Sequence, residues 1–408
     1  MTTVGVWRAL SPVEKIQAGR EAYIGYSVRA TGRLDLDALA TAYEAVCRAY
    51  PQFAARLVAG DDGPVFAQSD ARPDIQVHDG DPDHPLTGVD VAQHRTLSAL
   101  NVVRDGDDAS VCLATHHAIA DAHHAIEVFA ALWSCYTDAV RGVAVDLPHH
   151  PFPRSLEDLL AERGIRSTAP AQTAVADQRA PQPPSVVRHV VQHRLTTAET
   201  TALVALGHRE HVTVNGLLSG AILLTEAAIR ELPVTDLMYR FTVNLRGRLT
   251  PPVGPTEGTN VLGGAVFTAT DDIEPNAVSI GRAIGARLRA GLADGSIQRS
   301  LLDLVARMAP GGKPWDPSTA PAVVSMMNWG SVPPLRTPDD LRLTNFRSAS
   351  RIRESAALGG YVVSTFGGRT GIDLVWPDAA PDLPRRVDHL REQLDRLTSQ
   401  RPTDEPNG

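Results

Sequence analysis

Apolar residues recur along this 408-residue chain with two different periods, one typical of strands and the other of helices. Residues 109–115 (ASVCLAT) alternate between small or polar and apolar side chains, which predicts a strand. An apolar stripe at spacings of three and four follows, and it predicts an amphipathic helix. The stripe consists of Ile126, Phe129, Ala130, Trp133, Thr137 and Val140. Residues 115–121, between the two, are therefore expected to form a strand-to-helix turn.

The rest of the first half has the same mixture of strands and helices. Residues 23–30 predict a strand, and a helix is expected over 36–50 with Asp35 as its N-cap. Residues 97–104 and 110–115, joined by an Asp-Gly turn, predict a β-hairpin. The second half continues the mixture. Its predicted strands are 189–195, 238–245, 322–328, 341–346 and 361–366, and its predicted helices begin near 197, 213, 277 and 384.

Length and composition predict two subdomains. A chain of 408 residues is longer than one hydrophobic core usually serves. At 166–185 the composition changes to Ala, Pro, Gln and Thr without a hydrophobic period, which indicates a linker or surface crossover. We therefore expect a first subdomain over 1–165, a linker over 166–186, a second subdomain over 187–400 and a tail over 401–408.

Charge and cysteine content narrow the class of protein. The chain is 43% hydrophobic and 21% charged, as globular proteins commonly are, and its net charge of −8 argues against nucleic acid as a partner. Cys47, Cys112 and Cys135 are scattered and odd in number, which is typical of a reducing compartment. The N-terminus has no apolar signal core, and no apolar run reaches the roughly 18 residues of a membrane span. We expect a soluble, cytoplasmic protein.

The turn at 115–121 (THHAIAD) has the strongest chemical character in the chain, because it contains two adjacent histidines and an aspartate. The residues alone leave three interpretations open. In the first, the histidines are polar turn residues and Asp121 opens the helix. In the second, one histidine is a general base near neutral pH, and the aspartate fixes its tautomer or anchors the loop to a distant arginine.

A metal site is the third interpretation, because His123 and His124 extend the run to HHAIADAHH. The spacing matches neither HExxH nor a Cys/His zinc pattern. Adjacent side chains in extended backbone also point in opposite directions, so His116 and His117 are not expected to face the same cavity. A metal-dependent hydrolase that uses His116, His117, His123 and His124 stays open as an alternative.

The pattern HHxxxD resembles the signature of a superfamily of CoA- and carrier-dependent acyltransferases. Its members include chloramphenicol acetyltransferase, plant BAHD acyltransferases, peptide-synthetase condensation domains and actinobacterial polyketide-associated acyltransferases, and the chain resembles the last group most. Further stretches that carry the resemblance are Asn244-Leu245-Arg246, Pro251 to Asn260, Asn328-Trp329-Gly330 with Pro333-Pro334, and the helix entry after Gly32. The Gly that usually follows the Asp is Ala122 here, and the DFGWG signature of the plant branch is absent.

The resemblance implies a fold and a set of site residues. The fold is α/β, with two chloramphenicol-acetyltransferase-like α+β sandwiches that form a pseudo-dimer around a tunnel. His117 would be the general base, while His116, Asp121 and Arg246 would be structural residues of the active site. Asp121 would point away from the base and pair with Arg246 of the second subdomain. The tunnel would be lined by Asn260 and Trp329.

The resemblance also implies an activity. An O-acyltransferase would move an acyl group from a CoA or acyl-carrier-protein thioester to a hydroxyl of a polyketide, lipid or other natural product. No G-x-S-x-G nucleophile elbow occurs, so no covalent acyl-enzyme is expected. No bound metal or cofactor is implied, and we expect a monomer. An amide-forming enzyme of the same fold and an inactive binding member are the alternatives.

A cluster of arginines is the expected docking surface if the donor is bound to a carrier protein. The densest cluster of positive charge in the chain consists of Arg342, Arg347, Arg351 and Arg353. Carrier proteins are acidic, so an acidic enzyme needs a local basic surface to bind one. Acidic residues at 339, 340 and 354 reduce the net charge of this segment.

Overall fold

The protein is described here by a computed structural model that covers residues 5–70, 73–169, 184–307, 322–353, 359–377 and 380–399. The strands are β1 (Val6–Ala9), β2 (Tyr23–Gly32), β3 (Ala55–Gly60), β4 (Gly63–Gln68), β5 (Ile75–Asp79), β6 (Ser98–Asp105), β7 (Asp108–His116), β8 (Ser185–Val187), β9 (His189–Arg194), β10 (Leu237–Asn244), β11 (Leu262–Phe267), β12 (Ala322–Ser331), β13 (Leu341–Arg353), β14 (Gly360–Phe366) and β15 (Arg369–Trp376). The helices are α1 (Pro12–Arg20), α2 (Leu36–Ala49), α3 (Ala122–Val140), α4 (Leu156–Glu162), α5 (Thr197–Arg209), α6 (Val214–Arg230), α7 (Ala277–Ala293), α8 (Ser296–Arg307) and α9 (Leu383–Thr398).

Two helices of the first half begin at the N-cap residues expected from the sequence. The Asp35 carboxylate accepts a hydrogen bond from the Ala38 N–H at 3.0 Å, at the start of α2. The Asp121 carboxylate accepts one from the His124 N–H at 3.0 Å, at the start of α3. Such caps satisfy N–H groups that have no partner within the first helical turn. The local sequence therefore fixes where both helices start.

The first large sheet contains strands from both halves of the chain. Its order is β5-β6-β7-β2-β13-β8, and β13 pairs antiparallel with β2 on one side and with β8 on the other. The expected division at residue 187 assigns Leu341–Arg353 to the second subdomain, so it does not describe this sheet. The physical reason is that β2 has backbone hydrogen-bonding groups along both of its edges. Strand β7 pairs with one edge, and β13 pairs with the other edge and satisfies its backbone groups.

The second large sheet has the order β11-β10-β12-β14-β15-β9. Within it, β10 alternates strictly, with buried side chains at 237, 239, 241 and 243. The Tyr239 hydroxyl lies 2.7 Å from the Ser219 hydroxyl of α6, so this apolar face packs against the helices. Because side chains alternate along a strand, the residues at 240, 242 and 244 face the opposite side.

Strand β13 also connects the two large sheets. The Ser348 N–H donates to the carboxylate of Asp373 on β15. The amide of Gln192 on β9 donates to the Phe346 carbonyl at 3.0 Å and to Asp373 at 2.8 Å. Asp373 is 1% exposed, and burial raises its pKa. These buried bonds fix the second sheet against the first along β13.

Much of the predicted linker, and all of the predicted tail at 401–408, lie outside the described residues. At the start of the linker, the Thr168 N–H donates to Asp303 of α8 at 2.8 Å. At its end, residues 185–186 belong to β8 of the first sheet. The described ends of the linker are therefore held against both halves.

No single helix within the described ranges has the length and apolar character needed to cross a membrane. Helices α5 and α6 meet those criteria only as a pair, which is bent by 104°. Most residues of α6 are buried in the core of the second half.

Candidate functional site

The HHxxxD motif occupies the turn between β7 and α3 that the sequence predicts. His116 is the last residue of β7 and pairs with Tyr23 of β2. His117 lies just beyond the strand, where its N–H donates to the Ala22 carbonyl at 2.7 Å. The first imidazole is buried and the second lines a cavity. The expectation that the adjacent histidines face different surroundings is confirmed.

His116 makes contacts that shape the turn. Its side chain is fully buried, and its ring packs edge-on against Tyr23 with 4.9 Å between the ring centroids. Its Nδ1 accepts a hydrogen bond from the Ala118 N–H at 3.2 Å. Burial lowers the pKa of His116 to about 3, so the ring is neutral at pH 7.

His117 lies on the wall of a cavity between the two halves. Its Nδ1 is buried, which leaves Nε2 as the nitrogen on the cavity side. Burial lowers the pKa of His117 below its ordinary value, and the charge of Asp121 opposes this effect. At pH 7 the ring is therefore mostly uncharged, and Nε2 can accept a proton.

Asp121 forms the ion pair with Arg246 that the resemblance implies. Its Oδ2 accepts a hydrogen bond from Arg246 Nη1 at 2.8 Å and another from the Val261 N–H at 2.8 Å. Burial raises the pKa of Asp121, but the charge and hydrogen bonds of Arg246 and the His124 N–H outweigh it, so the pKa is lowered. Because Asp121 is 0% exposed and Arg246 is 6% exposed, the pair joins the two halves in a buried place.

Residues 258–261 of the second half hold the motif by a run of hydrogen bonds. The Thr259 carbonyl accepts from the Asp121 N–H at 2.7 Å, and the Asn260 amide donates to the His117 carbonyl at 2.8 Å. Asn260 is 2% exposed and lies behind the histidine, away from the cavity wall. This corrects the expected tunnel position of Asn260, because the His117 carbonyl, beyond the end of β7, needs a donor.

The four histidines of the run do not converge on one point. His124 is fully buried, and its ring bonds the Gly258 carbonyl at 3.0 Å and the Gln52 amide at 2.9 Å. Only His117 and His123 lie on the cavity wall. In the part of the chain that the structure describes, no three His, Cys, Asp or Glu side chains are placed to hold a metal ion together. The metal interpretation therefore has no geometric support.

The buried His124 should make the protein sensitive to acid. Its Nδ1 donates to Gly258, so its neutral Nε2 accepts from the Gln52 amide, and a second proton would face that donor. Burial lowers the pKa of His124 to about 4, from an ordinary value of 6.5. The unfolded state thus binds more protons below pH 6.5, and stability on the order of 3 kcal/mol is lost as the pH falls toward 4.

The measurement is the free energy of unfolding in urea at pH 7.5 and at pH 5. We expect the free energy of the unchanged protein to fall more steeply between these values than that of His124→Gln, which cannot titrate. His116 acts in the same direction in both proteins, so its contribution cancels in the difference between their slopes. Identical slopes would show that His124 does not contribute to the acid sensitivity.

The cavity beside His117 has a volume of about 130 Å³. Its lining is largely apolar and comes from both halves: Ile24, Tyr26 and Ala122 from the first, and Leu262, Met327, Trp329, Val362 and Val375 from the second. Trp329 lies on the wall and packs against Tyr26 with 4.8 Å between the ring centroids. Pockets of this kind, apolar with a few polar groups, commonly bind small molecules.

The sequence patterns do not place several polar residues on the cavity wall, although the structure does: His123, Thr242, Asn244, Asn328, Ser348 and Ser350. The alternation of β10 is a usable signal for Thr242 and Asn244, because its buried face leaves them on the cavity side. The two serines have no local signal. They reach the cavity only because β13 joins the first sheet, and that pairing is long-range.

The predicted docking cluster is not a free basic surface. Arg347 is 8% exposed, Arg351 donates to a backbone carbonyl at 2.8 Å, and Arg353 pairs with Glu21 at 2.6 Å. Among the four, Arg342 alone is classed as exposed. The reason is that β13 is an inner strand of its sheet, so neighbouring segments cover its side chains.

Ala122, at the position of the family's usual Gly, fits the local structure. It is the first residue of α3, where helical backbone suits alanine. Its backbone is not left-handed, so the motif loop does not require the freedom of glycine here. The substitution therefore gives no reason to expect an inactive protein.

Comparison with known proteins agrees with this architecture. A family described as "Phthiocerol/phthiodiolone dimycocerosyl transferase C-terminus" matches residues 184–375. A phthiocerol/phthiodiolone dimycocerosyl transferase from Mycobacterium ulcerans (strain Agy99) is 32% identical over an alignment of 416 positions, which spans 97% of each chain. The solved structure of polyketide synthase associated protein 5 from Mycobacterium tuberculosis is 30% identical, with a TM-score of 0.81, and the match covers 97% of this chain and 99% of that one.

A more distant structure shows the fold alone. The first condensation domain of the CDA synthetase is 14% identical, with a TM-score of 0.68, over 98% of this chain and 97% of that chain. The two-sandwich α/β fold that the HHxxxD motif implies is confirmed by these structures and by the two large sheets.

Proposed function

This chain belongs to the phthiocerol/phthiodiolone dimycocerosyl transferase family and is an acyltransferase, and we propose that it transfers an acyl group from a thioester to a hydroxyl. The donor is a CoA or carrier-protein thioester, and the acceptor is a hydroxyl of a polyketide, lipid or other natural product. The observation that carries the proposal is the imidazole of His117 on the wall of a largely apolar cavity.

His117 is the general base in this proposal. A hydroxyl that attacks a thioester must lose its proton as the new C–O bond forms, and Nε2 of His117 accepts that proton. When the tetrahedral intermediate collapses, the C–S bond breaks and the thiolate takes the proton from the imidazolium. The products are an ester and a free thiol, and His117 returns to its neutral state. The lowered pKa of His117 keeps the ring available as a base at pH 7.

Asp121 and Arg246 hold the base in place and do not exchange protons in this scheme. The lowered pKa of Asp121 keeps its carboxylate ionised, and its oxygens are occupied by Arg246, Val261 and His124. The Asn260 amide fixes the backbone of His117 itself. The position of the base therefore depends on the second half of the chain.

The apolar lining of the cavity supports substrates with hydrocarbon character. Both halves line the cavity and His117 is on its wall, so the reacting group of a bound substrate can lie beside the imidazole. Polar side chains on the same wall, Thr242 and Asn244 among them, can bind the polar groups next to the reacting atoms.

The test is release of free thiol from short-chain and long-chain acyl-CoA in the presence of a hydroxylated acceptor, with mass spectrometry of the product. We expect thiol release that depends on the acceptor and survives prolonged EDTA treatment, because no step of the scheme uses a metal. Activity lost on chelation and restored by zinc would favour the hydrolase alternative. An N-acylated product would identify an amide-forming enzyme, and acyl-CoA binding without turnover would indicate an inactive member.

A further inference from the structure

A second cavity, with a volume of about 430 Å³, lies where the chain crosses from the first large sheet to the second. Arg188 is at that crossing, between β8 and β9, and its N–H donates to the Ser350 carbonyl of β13 at 2.9 Å. We call this space the crossover cavity, and its wall includes Asp83, Leu86, Arg188, Val190, Arg347 and Ala349. Ser348 and Ala349 line both this cavity and the one beside His117. Strand β13 therefore forms a wall that the two cavities share.

Two buried arginines line the crossover cavity. Arg188 is 9% exposed and Arg347 is 8% exposed. Nη2 of Arg347 donates to the Val190 carbonyl at 3.0 Å, and its buried Nε has no hydrogen-bond acceptor within the described ranges of the chain. Burying a charged group is costly unless the charge is paired and its donors are used. Arg347 can therefore bind an additional anion at this cavity.

The nearby carboxylates leave that capacity open. Asp83 is the only acidic residue among the described residues of the cavity wall, and its Oδ1 lies 3.4 Å from Arg347 Nη1. The same oxygen lies closer, at 3.0 Å, to Nη1 of Arg29. The Asp83 side chain is 58% exposed, and exposed ion pairs contribute little. The charge of Arg347 also acts on Asp373, but Asp373 is not on the wall, and its two oxygens already accept N–H donors from other residues.

We propose that the crossover cavity binds a phosphate group through Arg347 and Arg188. Guanidinium groups match the geometry of phosphate and can bind it through two hydrogen bonds each. A phosphate would give the Nε of Arg347 an acceptor, and the exposed Asp83 carboxylate can move aside because Arg29 holds it as well. The site is distinct from a docking surface, because both arginines are buried.

The phosphate is that of the thioester donor, and this choice rests on the proposed function. CoA and the prosthetic group of a carrier protein both have a phosphate at one end of the pantetheine arm and the thioester at the other. Ser350 lines the cavity beside His117 and lies three residues beyond Arg347 on β13, a separation of roughly 10 Å. An extended pantetheine arm is longer than this, so a donor held at Arg347 can place its thioester in the neighbouring cavity.

The experiment compares 4′-phosphopantetheine with pantetheine, which differ by one phosphate, in calorimetric titrations of the full chain. We expect the phosphorylated compound to bind about 10- to 100-fold more tightly, as charge-assisted hydrogen bonds allow. Arg347→Gln should nearly abolish this preference without changing the affinity for pantetheine, and Arg188→Gln should reduce it. Arg347→Lys, which keeps the charge and loses the paired donors, should retain an intermediate preference. Circular dichroism checks that each variant is folded.

Asp83→Asn provides a test in the opposite direction, at an exposed position where folding is not at risk. This change removes the carboxylate that competes for Arg347, so the preference for the phosphorylated compound should increase by about 2- to 5-fold. Asp107→Asn is the matched control, because it removes an exposed carboxylate from the turn between β6 and β7, away from the cavity wall. It should leave the preference unchanged.

Titration with CoA distinguishes the two sources of phosphate. If CoA binds like 4′-phosphopantetheine, the site recognises the arm phosphate that a carrier protein also presents. If CoA binds more tightly and Arg347→Gln removes the gain, the site also holds the nucleotide phosphates. Equal binding of pantetheine and its phosphate, a full preference in folded Arg347→Gln, or no increase in Asp83→Asn would overturn the proposal. Because binding does not require turnover, failure of the proposed acyl transfer would be seen separately as absence of thiol release.

Discussion

Replacing His117 with alanine is expected to lower kcat/KM for acyl transfer by about 10²–10⁴-fold, the usual loss when a general base is removed. The fold should survive, because the imidazole lies on a cavity wall and is only partly buried. The backbone of residue 117 keeps its bonds to the Ala22 carbonyl and the Asn260 amide. Initial rates of thiol release measure the loss, and thermal unfolding followed by circular dichroism checks the fold.

His116→Ala is the matched control, since it makes the same truncation one residue earlier. This ring is fully buried against Tyr23 and accepts the Ala118 N–H. We therefore expect a loss of stability of about 0.5–3 kcal/mol, while much of the activity per folded molecule is retained. Equal losses of activity at both positions would contradict the assignment of His117 as the single base.

The motif turn could be predicted from the sequence because its determinants are local. The alternation of β7, the helical stripe of α3 and the Asp121 cap lie within a short stretch, and each acts over a few residues. The partner of Asp121 is different, since 125 positions separate it from Arg246. No hydrophobic period encodes that contact. It was predicted only because the Asn-Leu-Arg stretch resembles a family pattern.

Two of the differences from expectation share a physical cause, which is pairing between distant strands. A run of arginines looks like a basic surface as long as the neighbours of the strand are unknown, but β13 lies between β2 and β8. The pairing of β13 with β2 also brings Ser348 and Ser350 to the cavity.

Asp121→Asn and Arg246→Gln are each expected to lower the free energy of unfolding by about 3–5 kcal/mol, because each leaves a buried charge without its partner. Both side chains are almost fully buried, and Arg246 also donates to the Pro255 carbonyl at 3.0 Å. Asparagine is itself a good N-cap, so Asp121→Asn tests the charge and preserves the start of α3. Each substitution should also lower activity, because the loop that carries His117 loses its anchor. The double variant, measured in urea, should be less destabilised than the sum by about 0.5–3 kcal/mol.

The matched control for these variants is Arg248→Gln. Arg248 lies two residues beyond Arg246 in the same turn, and its side chain is exposed. We expect a change in stability within about 0.5 kcal/mol. Asp121 also accepts the Val261 and His124 N–H groups, so part of the loss in Asp121→Asn is independent of Arg246. Comparison of the double variant with the two single variants cancels that part and leaves the coupling energy between Asp121 and Arg246. If the losses of Asp121→Asn and Arg246→Gln add without coupling, the motif is anchored by the backbone of residues 259–261 and not by the ion pair.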